Sequence, residues 1–148
     1  MTEELKNTLA RFSLIGAPVS CERYGCGHIN VTYLAVTDAG RRYILQKINH
    51  NTFKDVAGLM ENITRVTQFL RTRTDDPRRV LTLVPALDGA SYIRNAEGYW
   101  RVYDFVEGSV CLQQPETPED FYESAVGFGG FQQMLLDFPA ATLHEAIP

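Results

Sequence analysis

The chain has 148 residues, 45% hydrophobic and 22% charged, with a formal net charge of −4. That length suits one ordinary domain with a usable core. The acidic balance gives no ground for expecting nucleic acid or an anionic membrane as partner. No apolar run reaches the roughly 18 residues of a membrane span. Cys21, Cys26 and Cys111 form no CxxC pair, which argues against a disulfide framework or zinc site and for a reducing compartment, the cytoplasm.

In chain order, Glu3 to Phe12 predicts a short amphipathic helix with Leu5, Leu9 and Phe12 on one face. Val19 to Tyr24 and Ile29 to Val36 read as strands joined through Gly25 and Gly27, and Asp38-Ala39-Gly40 turns the chain into a third strand, Arg42 to Ile48. Asp55 is placed to cap a helix whose Leu59, Ile63, Val66 and Leu70 share a face. Val80 to Leu87, Ser91 to Arg94 and Tyr99 to Val106 follow as strands. Gly108 to Pro118 reads as a linker. Thr117, Pro118 and Asp120 have the spacing of a helix N-cap, first position and N3 residue. That last helix contains Gly127, Gly129 and Gly130, which would let another element pack closely.

The expected class is therefore α+β, an antiparallel sheet with a packed helix rather than a doubly wound parallel sheet. The expected division is residues 1–106, a linker at 107–116, and a helical region at 117–148.

Three short stretches could carry chemistry. A turn containing Gly25 and Gly27 leaves backbone N–H groups free to approach phosphate oxygens, although a plain tight turn has the same sequence. Alternation puts Lys47 on one face of the third strand with Leu45. Such a lysine either snorkels to solvent or finds an anion, and Glu61 on the following helix is the available partner. Tyr103 to Gly108 ends a strand and opens the linker, where extended backbone offers C=O and N–H groups to a planar ligand edge or is an ordinary strand exit.

Taken together and in this order, the parts resemble a protein-kinase-like N-terminal lobe: a five-stranded antiparallel sheet with one packed helix. Gly25-x-Gly27-His28-Ile29-Asn30-x-Thr32-Tyr33, Tyr43-Ile44-Leu45-Gln46-Lys47-Ile48-Asn49 and Phe53-Lys54-Asp55 with Leu59-Met60-Glu61-Asn62-Ile63 resemble the aminoglycoside phosphotransferase and choline kinase superfamily. Within it they look like bacterial N-acetylhexosamine 1-kinases. The resemblance implies an ATP-dependent kinase acting on a sugar hydroxyl, the anomeric one of an N-acetylhexosamine. It implies that Gly25, Gly27 and His28 form a flap over the phosphates with Asn30 at its edge. Lys47 would contact the phosphates, held by Glu61. Tyr103 would back the adenine, and the Asp104 carbonyl and Val106 amide would read its edge.

The superfamily's catalytic loop, H-x-D-x-x-x-x-N, and its later metal-binding Asp do not occur here; the histidines are His28, His50 and His144. The expectation is a nucleotide lobe plus the first helices of a truncated substrate lobe, with no catalytic or metal residue of its own. Mg2+ ligands would lie beyond Pro148, and kinase activity of these residues alone would be negligible. Self-association is expected through an apolar surface at Phe128, Phe131, Met134 and Leu135. Homoserine, choline or aminoglycoside kinases, and a non-catalytic nucleotide-binding module, are the alternatives.

Overall fold

The computed structural model describes residues 1–110 and 112–146. Cys111 and the last two residues of the 117–148 region lie outside them. Six strands form one antiparallel sheet: β1 (Pro18–Arg23), β2 (Val31–Thr37), β3 (Arg42–Ile48), β4 (Leu83–Val84), β5 (Ile93–Asn95) and β6 (Gly98–Asp104). Their order is β1-β2-β3-β6-β4, with β5 also paired to β6. The six strands read in chain order are all present, one more than the five the resemblance implied.

The long strand expected over 80–87 is only two residues. Pro85 has no N–H to give a ladder. Just beyond it the Ala86 N–H turns back to the Ala90 carbonyl, around Gly89 at φ +86°. A single 3-10 turn at Pro77–Arg79, capped by Asp76, occupies the approach.

The sheet is covered on both faces, not by one helix alone. Cross-strand register places Tyr43, Leu45 and Lys47 of β3 on the same side as Asp104, Val102 and Trp100 of β6. That face buries Tyr43, Leu45, Trp100 and Val102 against α1 (Glu3–Leu9), through Leu5 and Leu9, and against Phe12. The other face carries Ile44, Gln46 and Ile48 with Tyr103, Arg101 and Tyr99. There Ile48 packs on Val56 and Met60 of α2 (Val56–Arg71), with Leu59, Ile63 and Tyr99 around them.

Asp55 caps α2 as expected, accepting the Gly58 N–H at 2.8 Å. The inward stripe of α2 is shifted from the expected one. Val56, Met60 and Leu70 are fully buried, while Thr64 and Thr67 sit half-buried, with hydroxyls satisfied by the Met60 and Ile63 carbonyls. Those back-bonds give the half-buried hydroxyls a partner within the helix.

The helix α3 (Pro118–Met134) begins with the expected capping box: Asp120 N–H donates to the Thr117 hydroxyl and the Thr117 N–H to Asp120. It buries no residue completely. A Cβ at Gly127 or Gly129 would meet nothing within 4 Å, and one at Gly130 would come within 3.0 Å of Arg79. Close packing therefore does not account for Gly127 or Gly129 among the described residues. After α3 the chain returns to α2, with Phe138 edge-on to Phe69 and Asp137 3.1 Å from Arg73. Residues 142–144 then lie along α2. Arg65 donates to the Thr142 carbonyl, and the Asn62 amide bonds both the N–H and the carbonyl of His144.

Candidate functional site

The segment from Tyr24 to Ile29 is an exposed loop between β1 and β2, and Gly25 takes φ +72°, where a side chain would be strained. Its base is closed by the Tyr24 N–H on the Thr32 carbonyl. Asn30 is a fastener: its Oδ1 accepts the Asn49 N–H at 2.9 Å, tying the loop's exit to the end of β3. The loop is thus anchored at both ends, with its middle exposed. Gly27 and His28 lie in that exposed middle.

At the far end of the sheet β6 runs into the linker. The Asp104 N–H is used by the Thr82 carbonyl and the Phe105 N–H by the Arg42 carbonyl. Phe105 is held between the edge of Tyr24 and the Arg42 guanidinium, which stands 4.2 Å from its ring centre and pairs with Glu107. That pairing holds the Glu107 carboxyl below its ordinary range. Asp104, Phe105, Val106 and Glu107 line a cleft of about 400 Å³ with Arg42 and Val80. Tyr103 is half-buried on the α2 side of the sheet; burial raises its phenol pKa, and the nearby Arg101 charge opposes the shift.

The expected ion pair of Lys47 with Glu61 is not formed. Lys47 is on the α1 face, while α2 packs on the other. Its Nζ lies 3.6 Å from Glu97 Oε2 and 5.5 Å from the Trp100 ring centre. Glu61 neighbours the buried Met60 in sequence but is turned about 100° around the helix from it. It is exposed, 2.9 Å from His144 Nε2 and 3.9 Å from Arg65. The misleading signal was the lysine itself: it shares strand β3 with the inward polar residue but has the opposite parity.

The sequence reading passed over what does face α2. Thr32, Gln46 and Arg101 are direct cross-strand neighbours on β2, β3 and β6. Gln46 Nε2 donates to the Thr32 hydroxyl at 3.0 Å, and Arg101 donates from Nε and Nη2 to Gln46 Oε1 at 3.0 and 2.7 Å. The third arm, Nη1, is 3.8 Å from Met60 Sδ. Burial lowers the Arg101 pKa, yet it has no ion-pair partner among the described residues. An arginine inside the run Tyr99-Trp100-Arg101-Val102-Tyr103 was the available clue, since a strand covered on both faces leaves no solvent side for it.

Among the described residues no three His, Cys, Asp or Glu side chains converge to hold a metal ion. No described helix is long and apolar enough to cross a membrane.

A single antiparallel sheet with a glycine loop between its first strands, a long helix after the third and a linker leaving the last resembles a kinase-like fold. It matches the crystal structure of an aminoglycoside phosphotransferase from Alicyclobacillus acidocaldarius subsp. acidocaldarius DSM 446, with a TM-score of 0.60 and 17% identity. The match covers 98% of this chain and 38% of that one. At that identity the likeness is one of fold. No protein-family model matches the chain.

Proposed function

We propose that this chain is the nucleotide-binding part of an ATP-dependent small-molecule kinase. The observation that carries the reading is the fold. Supporting it, within a kinase-like sheet, are a loop fastened among the described residues at Tyr24–Thr32 and Asn30–Asn49, suited to cover phosphates, and a strand exit lined by a cleft that could take adenine. Gly25, Gly27 and His28 supply backbone N–H groups for phosphate oxygens. Tyr103 backs the base, and the Asp104 carbonyl and Val106 amide read its edge. The reading does not depend on a Lys47–Glu61 pair, which is absent.

The phosphoryl acceptor is a sugar hydroxyl, the anomeric one of an N-acetylhexosamine, on the strength of the sequence resemblance alone. Chemistry in this class is mostly positioning and charge neutralisation, so binding is the property to test. Isothermal titration with ATP, ADP and adenosine is the direct experiment. Binding of all three, with Val106→Pro abolishing the adenosine contribution by removing an N–H, supports the reading. Absence of binding by any of them overturns it.

A further inference from the structure

We propose that Arg101, positioned by Gln46, is the cation that holds the phosphate chain of the bound ligand. The inference rests on the nucleotide reading above but names a residue outside the sequence resemblance. A half-buried guanidinium is costly unless its charge is answered. Arg101 is answered only by a neutral amide oxygen and a thioether. Every ion pair among the described residues involves a side chain that is at least half exposed, and none involves Arg101, so Arg101 is the inward cation left without an anion.

Its location fits a phosphate. The row Thr32, Gln46, Arg101 starts at the residue whose carbonyl closes the glycine loop and runs from there across three strands. Arg101 stands two strands from Thr32, about 10 Å, a gap that its own long side chain and a phosphate chain entering under the loop would span together. The two N–H bonds to Gln46 Oε1 fix the plane of the guanidinium. Gln46 itself is fixed from the other side by Thr32, so the arginine is oriented before any ligand arrives. Arginine's planar fork suits phosphate oxygens. Lys47 cannot compete for this role, because the sheet stands between it and the α2 face.

The test separates phosphate from adenine by titrating tripolyphosphate and adenosine individually into the wild-type protein and into Arg101→Met, Gln46→Leu and Lys47→Met. Arg101→Met should weaken tripolyphosphate by about tenfold or more, Gln46→Leu by less, and Lys47→Met by under about twofold. Adenosine should bind all four alike. Tripolyphosphate protection of Arg101 from phenylglyoxal, read by peptide mass spectrometry on the unmutated protein, guards against a misfolded variant. Protection at Arg101 with none at the exposed Arg78 supports the proposal. No tripolyphosphate binding, equal binding by Arg101→Met, unprotected Arg101, or loss in Lys47→Met instead would each overturn it. If tripolyphosphate behaves as stated while adenosine fails to bind, Arg101 stands as an anion site and the nucleotide reading falls.

Discussion

Lys47 and Arg101 lie on neighbouring strands one register step apart and point to opposite faces of the sheet, Lys47 toward Trp100 and Glu97, Arg101 toward Met60 of α2. One residue of parity thus decides which cation faces α2. The Lys47–Glu97 pair is partly exposed, at 32% and 51% of the two side chains, and screening leaves such pairs little energy. Lys47→Met should change stability by less than about 1 kcal/mol, as measured by urea unfolding. A loss several times larger would mean that Lys47 is held by more than Glu97 and the Trp100 ring.

The segment at 142–144 is docked on α2 by side-chain bonds rather than by a core. Asn62 alone satisfies both backbone groups of His144, at 2.9 and 2.8 Å. Asn62→Ala should cost about 1 kcal/mol or less, given the exposure of those bonds. It should also speed amide exchange at 142–144 while α2 itself stays protected. Gly58 belongs to the same contact, since a Cβ there would come within 2.2 Å of Asp55 Oδ2 and 2.9 Å of His144 Cβ. Gly58→Ala should therefore disturb the helix cap as well as the dock, and lower the melting temperature more than Asn62→Ala does. The reverse order would argue against the tight approach.

Cys21 is buried in the α1-side cluster, and burial pushes its thiol up to about 11 from 9.0. The folded state keeps this proton after the unfolded chain has released it. Its contribution is therefore full below pH 9.0 and is lost as pH rises through about 11. Two units correspond to roughly 3 kcal/mol at most. The stability difference between wild type and Cys21→Ala should narrow across that window, and a constant difference would show that the thiol is not desolvated. Cys26, exposed in the glycine loop, should alkylate readily at pH 8 while Cys21 does not.

Much of the fold was legible because local chemistry and tertiary structure agree. The N-caps Asp55 and Thr117 lie in short-range patterns that act within four residues, and β3 has its expected bounds, Arg42–Ile48. Where the reading failed, the deciding information was non-local. Whether Lys47 or Gln46 faces α2 depends on which face of the sheet the helix covers, and nothing within β3 encodes that. The helix α1 was legible in Leu5, Leu9 and Phe12, but its place on the second face of the sheet was not, for the same reason. Of the candidate site, the loop after β1 and the exit of β6 were legible as structural elements, both marked by glycine and strand-end patterns. The Thr32–Gln46–Arg101 row was not, because three distant strands build it and only their register brings the side chains together.

The glycines of α3 offer a sharper test of what that helix faces. Nothing lies within 4 Å of a Cβ built at Gly127 or Gly129, while Phe121 and Phe128 on the same helix are 65% and 70% exposed. If α3 stands free, alanine at both positions removes a helix penalty of roughly 1 kcal/mol each without a clash. The Gly127→Ala, Gly129→Ala variant should then gain ellipticity at 222 nm and exchange α3 amides more slowly. If α3 instead packs closely on a second copy of the chain, the added methyls would obstruct that approach, and sedimentation would show weaker association. Glutamate at Phe121 and Phe128 supplies the control, because it should lower binding of a hydrophobic dye and change the stability of the sheet by no more than about 0.5 kcal/mol. An unchanged dye signal would mean that these two rings are covered in solution.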